Sequence, residues 1–360
     1  MKNVGKRYVG TFKRLCFVVF ALYYACLSAF ILHLFTLKEK RVEASYSTEG
    51  QAECVMELHS RRILFEQNAD VRLPMASTTK ILTAITVLER CGEIKRKVDV
   101  ADEAIGIEGS SVYLNREENY TVEDLLYGLM LRSGNDCAVA LAYYISGGVE
   151  KFSAEMNKTA QKAGALCSNF VNPHGLPQKN HYTTAKDLTS IACYAMHNTE
   201  FSKIVSTKYY SNKHWQNKNK LLYNYEGCCG IKTGYTKQAG RCLVSAAEKN
   251  GMTLVCTLLN CPTTYERTTQ LFDDAFERYE YYQIVQAGQQ FDLFKDGKVV
   301  KAQVLQSFSY PVLEEEKEYL QVEAIAIEKR ENFDKNGEIL GQIQIFLSKR
   351  LLFLANLYKL

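Results

Sequence analysis

The sequence predicts an α+β fold: an antiparallel sheet covered by helices, with a small β-rich unit at the C-terminal end. Three observations predict it. Extended and helical patterns come in blocks, strands first, then helices, then strands and one more helix, an order that separates α+β architecture from alternating βαβ units. The segment GRCLVSAAEKNGMTLVCTLLN sets two apolar runs about a Lys249-Asn250-Gly251 turn, a hairpin signal. From residue 283 onward the pattern becomes short alternating segments separated by KDG, EEEKEY and KNG, as a β unit requires.

Taken in chain order, residues 1–14 hold Lys2, Lys6, Arg7, Lys13 and Arg14 and no acid. Residues 16–35 (CFVVFALYYACLSAFILHLF) then carry no charge apart from what His33 brings. A basic stretch ahead of an apolar one is the order of an export signal, and a run of this length also suffices to span a bilayer. Residues 1–44 are therefore expected to be a signal sequence, cleaved after VEA (42–44), or an N-terminal anchor in the cytoplasmic membrane. Either way the positive-inside rule puts residues 45–360 outside the cytoplasm, membrane-associated or released to the cell wall. Next, CVMELHSRRILFEQNADVRLPMA reads as a strand hairpin with its polar turn at 67–70, and an apolar helix opens at Ser77. Residues 121–145 read as two helices interrupted by SGND, the first capped by Thr121 with acids in its first turn. Helices follow at 149–163 and 184–196, with the proline-containing loop VNPHGLPQKNHY between them. The chain turns extended from residue 220 and helical again over 264–282, and the last unit is expected to span 283–360.

Bulk composition excludes some classes. With 360 residues, 47% hydrophobic and 23% charged, the chain has ample material for a large core. A net charge of +4, with no basic cluster interleaved with aromatics, argues against nucleic acid as a partner. Twelve cysteines in an exported chain would ordinarily mean disulfides. Cys193, Cys242 and Cys256, however, sit inside apolar runs, where a free thiol behaves as a small hydrophobe. No CxxC pair or zinc-like Cys/His spacing occurs, so reduced thiols, no metal and no cofactor are expected. Cys54, Cys91 and the Cys256/Cys261 pair stay open.

Three short motifs carry chemistry. In PMASTTKILTAITVLE, Ser77 and Lys80 are one helical turn apart, so the amine reaches the hydroxyl. A lysine desolvated near a second cation loses its proton close to neutral pH and becomes a base. Ser133 and Asn135, in SGND, put a hydroxyl and a carboxamide on a tight turn between helices. Lys232-Thr233-Gly234, in GIKTGYT, offers a cation and a hydroxyl to a carboxylate, with a glycine that lets a ligand approach the backbone. Singly, each has an ordinary structural explanation: an N-cap with a snorkelling lysine, an inter-helix loop, a β-edge lysine. Together and in this order they resemble S-x-x-K, S-D-N and K-T-G, the signature of class A β-lactamases and penicillin-binding proteins.

The flanking stretches narrow the choice. NADVRLPMASTTKILTA, LMLRSGNDCAVALA, FVNPHGL, HYTTAKDLTSIACYAM and GIKTGYTKQAGRCLVSAAEKNGMTLV resemble the serine-type D-alanyl-D-alanine carboxypeptidases, the low-molecular-mass penicillin-binding proteins of peptidase family S11. The resemblance covers roughly residues 45–282. It implies a β-lactamase/transpeptidase-like fold with a helical subdomain over that span and a β-rich domain over 283–360. It also implies a serine hydrolase that removes the terminal D-alanine from peptidoglycan stem peptides ending in D-Ala-D-Ala and is acylated by β-lactams. Ser77 would be the nucleophile, Lys80 its base, Ser133 a proton relay and Asn135 a hydrogen-bond partner of the peptide. Lys232, Thr233 and Gly234 would bind the substrate's terminal carboxylate, and Tyr235 would share the oxyanion hole with Ser77 through its backbone N–H. A β-lactamase fits less well: Gly134 stands where that class has an aspartate, and FVNPHGLPQKNHY contains no acid to drive deacylation. A non-catalytic penicillin- or peptidoglycan-binding sensor, an endopeptidase and a transpeptidase are the other readings. Arg267 could pair with a carboxylate but is expected on the surface, and His174 is expected to be structural rather than catalytic. The end of the chain, GQIQIFL-SKR-LLFLANLYKL, reads at least as well as a hairpin as an amphipathic membrane helix.

Overall fold

The computed structural model describes residues 50–327, 333–334 and 336–360. The expected export segment, residues 1–44, lies outside them. Among the described residues no helix is long and apolar enough to cross a membrane.

Strands covered on both faces read as unbroken apolar runs, and the central sheet is written into the chain in that way. Its strands are β1 (Ala52–Glu57), β2 (Ile63–Gln67), β3 (Cys228–Thr236), β4 (Gly240–Lys249) and β5 (Met252–Leu259). All pair antiparallel, in the order β2-β1-β5-β4-β3. Two-residue periodicity divides each strand between two cores. Val244, Ala246, Val255 and Leu259 face one core, whereas Leu243, Ala247, Leu254, Cys256 and Leu258 face the other. The first core is filled by α1 (Lys80–Leu88), α2 (Val122–Tyr127), α3 (Asn135–Ser146), α4 (Val149–Lys162), α5 (Ala185–Met196) and α6 (Thr199–Ser206). The second is closed by α7 (Thr264–Arg278).

Local signals account for the helix starts. Thr121 and Asp124 form a capping box at α2, and the Thr184 side chain accepts the Asp187 N–H at the start of α5. The short α6 was not anticipated; the Asn198 side chain caps it by accepting from the Phe201 N–H.

Three expectations are corrected. The first hairpin turns at 58–62, not at 67–70. Glu57 holds that turn, its carboxylate accepting from the N–H groups of His59 (3.1 Å) and Ser60 (2.7 Å) and from Ser60 Oγ (2.6 Å). The last helix stops at Arg278, and Glu280 already begins β6 (Glu280–Val285), so an aromatic-rich stretch serves a strand instead. Arg267 is not a surface residue: it is 1% exposed, on the face of α7 that also carries Leu271. Its guanidinium donates to Glu53 of β1, from Nε at 3.1 and 3.0 Å and from Nη2 at 2.7 Å.

The longer strands that follow are β7 (Gln290–Lys295), β8 (Lys298–Val304), β9 (Phe308–Val312), β10 (Leu320–Ala326), β11 (Gly337–Leu347) and β12 (Arg350–Lys359). β6 pairs with β9, and the others form a sheet in the order β7-β8-β12-β11-β10 around Leu293, Ala302, Val304, Ile343, Ile345 and Leu357. The architecture is thus α+β, a helix-covered antiparallel sheet followed by a second β-sheet with its own core. The chain ends as the hairpin β11–β12 rather than as a helix. Among the described residues Cys54, Cys91 and Cys256 are free thiols.

Removing one partner of a buried ion pair leaves the other charge uncompensated, at a cost of about 3–5 kcal/mol. Glu53→Leu or Arg267→Met alone is expected to lower unfolding stability in urea by that order. The double variant is expected to lose less than either single one; a double variant at the sum of the two losses would contradict this account.

Candidate active site

The site begins with a forced turn. Ala76 has φ of +50°, a left-handed conformation that an L-residue adopts at a cost, and Ser77 follows at the start of the 3-10 turn Ala76–Thr79 leading into α1. The two threonines of STTK hold the turn: Thr78 Oγ1 donates to the Met75 carbonyl (2.6 Å) and Thr79 Oγ1 to that of Ala76 (2.9 Å). The loop carrying NPHGL packs against the same carbonyl. Gly175, at φ of +89°, approaches so closely that a Cβ there would lie 1.9 Å from the Ala76 oxygen. His181 completes the support. Its Nδ1 accepts from the Val171 N–H (3.1 Å), so Nε2 carries the proton and donates to Thr79 Oγ1 at 3.0 Å. Burial pushes its pKa down to about 4, which keeps the ring neutral.

Lys80 is 0% exposed. Its Nζ lies 3.1 Å from Ser77 Oγ, 2.7 Å from Asn135 Oδ1 and 2.6 Å from the His174 carbonyl. The two shortest contacts are to groups that only accept. A neutral amine has two hydrogens, and these two oxygens claim both, which leaves the nitrogen lone pair directed at the serine. Burial, and then the charge of Lys232, hold the Lys80 pKa well below that of an ordinary lysine. His174 enters the site through its backbone. Its ring Nδ1 accepts from the Leu176 N–H, and burial lowers its pKa to about 3.

The second motif lies where a π-helical turn, Gly128–Arg132, breaks before α3. Ser133 adopts φ of +65° and is 6% exposed. Asn135 is fixed at both ends: its N–H donates to the Ser110 carbonyl and its Nδ2 to that of Glu108 (2.6 Å), so Oδ1 faces Lys80. Asp136, quoted in SGND but given no task by sequence reasoning, pins the adjoining loop. Its carboxylate accepts from Ser111 Oγ and from the N–H groups of Val112 and Leu114.

The third motif is on the edge strand β3. Gly234 passes directly beside the nucleophile's turn: a Cβ there would be 3.1 Å from the backbone nitrogen of Ser77 and from the Met75 carbonyl. Lys232 is 2% exposed, its Nζ donating to the Thr233 carbonyl at 3.0 Å. Burial, with the charge of Lys218, lowers its pKa to about 7. Thr233 is half-buried and the Tyr235 side chain points to solvent, 66% exposed. Lys218, on the loop ahead of β3, was not singled out from sequence, because nothing local distinguishes it from any exposed lysine. Ser77, Lys80 and Asn135 are thus in direct contact, and Gly234 brings β3 against Ser77. Among the described residues no group of acids, histidines and cysteines is arranged to hold a metal.

At Gly175 an added methyl would meet a backbone oxygen in a conformation that L-residues resist. Gly175→Ala is therefore expected to cost about 2–4 kcal/mol in urea unfolding. An unchanged midpoint would show that the loop does not brace the Ser77 turn.

Residues 38–263 match the family model described as D-alanyl-D-alanine carboxypeptidase, peptidase S11. The chain is similar to the D-alanyl-D-alanine carboxypeptidase DacF of Bacillus subtilis, 32% identical over 269 residues that make up 71% of this chain and 69% of that protein. It is also similar to a D-alanyl-D-alanine carboxypeptidase of a Streptomyces species, 37% identical over 219 residues, 54% of this chain and 75% of that one. Among solved structures, penicillin binding protein 5 from Haemophilus influenzae superposes with a TM-score of 0.71 at 28% identity, covering 87% of this chain and 98% of the other. With its family match spanning well over half the chain, the protein belongs to the D-alanyl-D-alanine carboxypeptidase family, peptidase S11.

Proposed function

We propose that this chain is a serine D-Ala-D-Ala carboxypeptidase that releases the terminal D-alanine of peptidoglycan stem peptides through an acyl-enzyme and is acylated by β-lactams. The observation that carries the reading is the fully buried Lys80, its nitrogen held by the His174 carbonyl and Asn135 and facing Ser77 Oγ at 3.1 Å. A pure binding protein has no need of a buried base.

In this reading Lys80 removes the Ser77 proton as Oγ attacks the carbonyl of the penultimate D-Ala. The backbone N–H groups of Ser77 and Tyr235 stabilise the oxyanion, and Gly234 allows β3 to come close enough for the pair to converge. Ser133 passes the proton to the departing D-alanine amine, and Asn135 holds the peptide. Lys232 and Thr233 take the terminal carboxylate, in a field to which Lys218 adds positive charge. An arriving carboxylate favours the charged form of Lys232, which in turn keeps Lys80 neutral. Water then hydrolyses the ester. Residues 45–282 form the catalytic domain in this proposal, and residues 1–44 export the chain or anchor it to the cytoplasmic membrane.

The test is intact mass after incubating residues 45–360 with benzylpenicillin, together with D-alanine release from a diacetyl-Lys-D-Ala-D-Ala peptide. A penicilloyl adduct on Ser77 and D-alanine release are expected, both lost in Ser77→Ala. Lys80→Met is expected to slow acylation by about 10²–10⁴. Because the 170–182 loop contains no acid, the adduct should be long-lived; rapid penicillin turnover would make the protein a β-lactamase instead. Folded protein that forms no adduct would sink the proposal.

The pH dependence has a defined sign. A carboxylate ligand needs Lys232 protonated, so the second-order acylation rate is expected to fall as pH rises through about 7. Lys232→Arg, whose cation does not titrate in this range, should move that limb to higher pH. A limb that stays in place would take Lys232 out of carboxylate binding.

A further inference from the structure

One concave surface beside the cleft has no task in the reaction just described. It is a cavity of about 410 Å3 whose walls include Arg72, Pro74, Gln178, Lys179, Tyr182 and Gln238. Its walls adjoin the turn that carries Ser77. Pro74 lies just ahead of the Ala76–Thr79 turn, and Leu73 pairs with Thr183 through backbone hydrogen bonds of 2.8 and 3.0 Å. His181, in the same wall, is the residue that supports Thr79, and Gln238 lies two residues beyond the end of β3.

The charged side chains of the lining are Arg72 and Lys179, with no carboxylate among them. The acid closest in sequence to Arg72, Asp70, is paired with Lys186 at 3.4 Å. The Arg72 guanidinium lies over the Tyr182 ring, 5.0 Å from its centroid, which orients a planar cation while leaving its edge donors for a ligand. The loop is shaped in advance. Asn180 takes φ of +65°, the His181 N–H donates to the Gln178 carbonyl, and Gln178 Oε1 accepts from Asn172 Nδ2 at 3.1 Å.

Direction along β3 settles which part of a substrate reaches this cavity. If Lys232 and Thr233 take the terminal carboxylate and the Tyr235 N–H takes the scissile carbonyl oxygen, the substrate runs along the strand from 232 towards 235. Its upstream residues then continue past Tyr235 towards Gln238. At about 3.3 Å per residue, an extended peptide arrives at Gln238 with the second or third residue ahead of the scissile bond.

We propose that the cavity is a carboxylate subsite for the acyl side of the substrate, in which the free carboxylate of an upstream acidic residue docks against Arg72 and Lys179. This rests on the DD-peptidase reading. Two substrate groups share the chemistry: the α-carboxylate left free by a γ-linked acidic residue, and the second carboxylate of a diamino diacid.

The experiment compares kcat and KM for peptides ending in D-Ala-D-Ala. One carries a γ-linked glutamate with its α-carboxylate free, one has that group amidated, and a second such pair carries a diamino diacid free or amidated. A free carboxylate is expected to favour one pair by about tenfold, chiefly in KM, and the pair that responds names the source. The preference should shrink in high salt, collapse in Arg72→Ala/Lys179→Ala, and reverse in Lys179→Glu. Equal values within both pairs, or a preference that survives the double variant, would overturn the subsite. If benzylpenicillin acylates Ser77 and D-alanine is released while both pairs stay equal, only the subsite falls. If neither occurs, the DD-peptidase reading falls, and calorimetric affinities for the same peptides still read the cavity: equal affinity for free and amidated forms overturns it as well.

Discussion

The burial of one lysine is the constraint on which the rest of this structure depends. Transferring an unpaired ammonium out of water is so costly that the group would rather give up its proton. Lys80 is placed where that happens, on the first turn of α1 inside the apolar core, with Lys232 adding like charge from β3. A neutral amine still needs partners, and the fold supplies them from distant parts of the chain: the His174 carbonyl from the loop between α4 and α5, and Asn135 from the start of α3. Neither partner can turn away. Asn135 is tethered to Glu108 through its own Nδ2, and the Gly175 that follows His174 is pressed against the carbonyl of Ala76. The start of α3 and the loop between α4 and α5 are therefore held together around the same nitrogen.

Two strained backbone positions lie where the same groups converge. Ala76 and Ser133 both adopt left-handed conformations, one immediately before the nucleophile and the other immediately after the π-helical turn. Such backbone persists only where its surroundings over-determine it. At Ala76 the surroundings are the back-bonding hydroxyls of Thr78 and Thr79, and the neutral His181 that fixes the second of them. The chemistry of STTK is thus only half about Ser77 and Lys80. The two intervening threonines are part of the turn that aims the serine.

Much of this was legible because it is local. The i, i+3 spacing of Ser77 and Lys80, the caps at Thr121 and Thr184, and the Asn250-Gly251 turn each declare themselves within a few residues. Strands buried on both faces also announced themselves, as apolar runs. What escaped was set by pairing across the chain. Polar residues predominate in both 58–62 and 67–70, and only the carboxylate of Glu57 chooses the first as the hairpin turn. Arg267 looked like a surface cation because its partner, Glu53, is more than two hundred residues away, and only the packing of α7 on the sheet brings them together. Lys218 escaped for the same reason: its influence on Lys232 is exerted through space from a loop with no pattern of its own.

The position of the second sheet follows from strand order. In β2-β1-β5-β4-β3 the catalytic edge is β3, and β2 is the opposite edge. The C-terminal strands are fastened at the β2 end. Arg62, immediately ahead of β2, donates to the Pro311 carbonyl at 2.7 Å and to both oxygens of Glu316, and its guanidinium is set against the rings of Tyr279 and Tyr310 at 5.2 and 5.3 Å. A bidentate, partly buried pair flanked by aromatics is among the stronger contacts a single arginine makes. It ties β9 and the segment after it to the edge most remote from the cleft. That attachment contributes no side chain to the Ser77 site. The chemistry on β3 and the attachment on β2 are thereby separated by the width of the sheet.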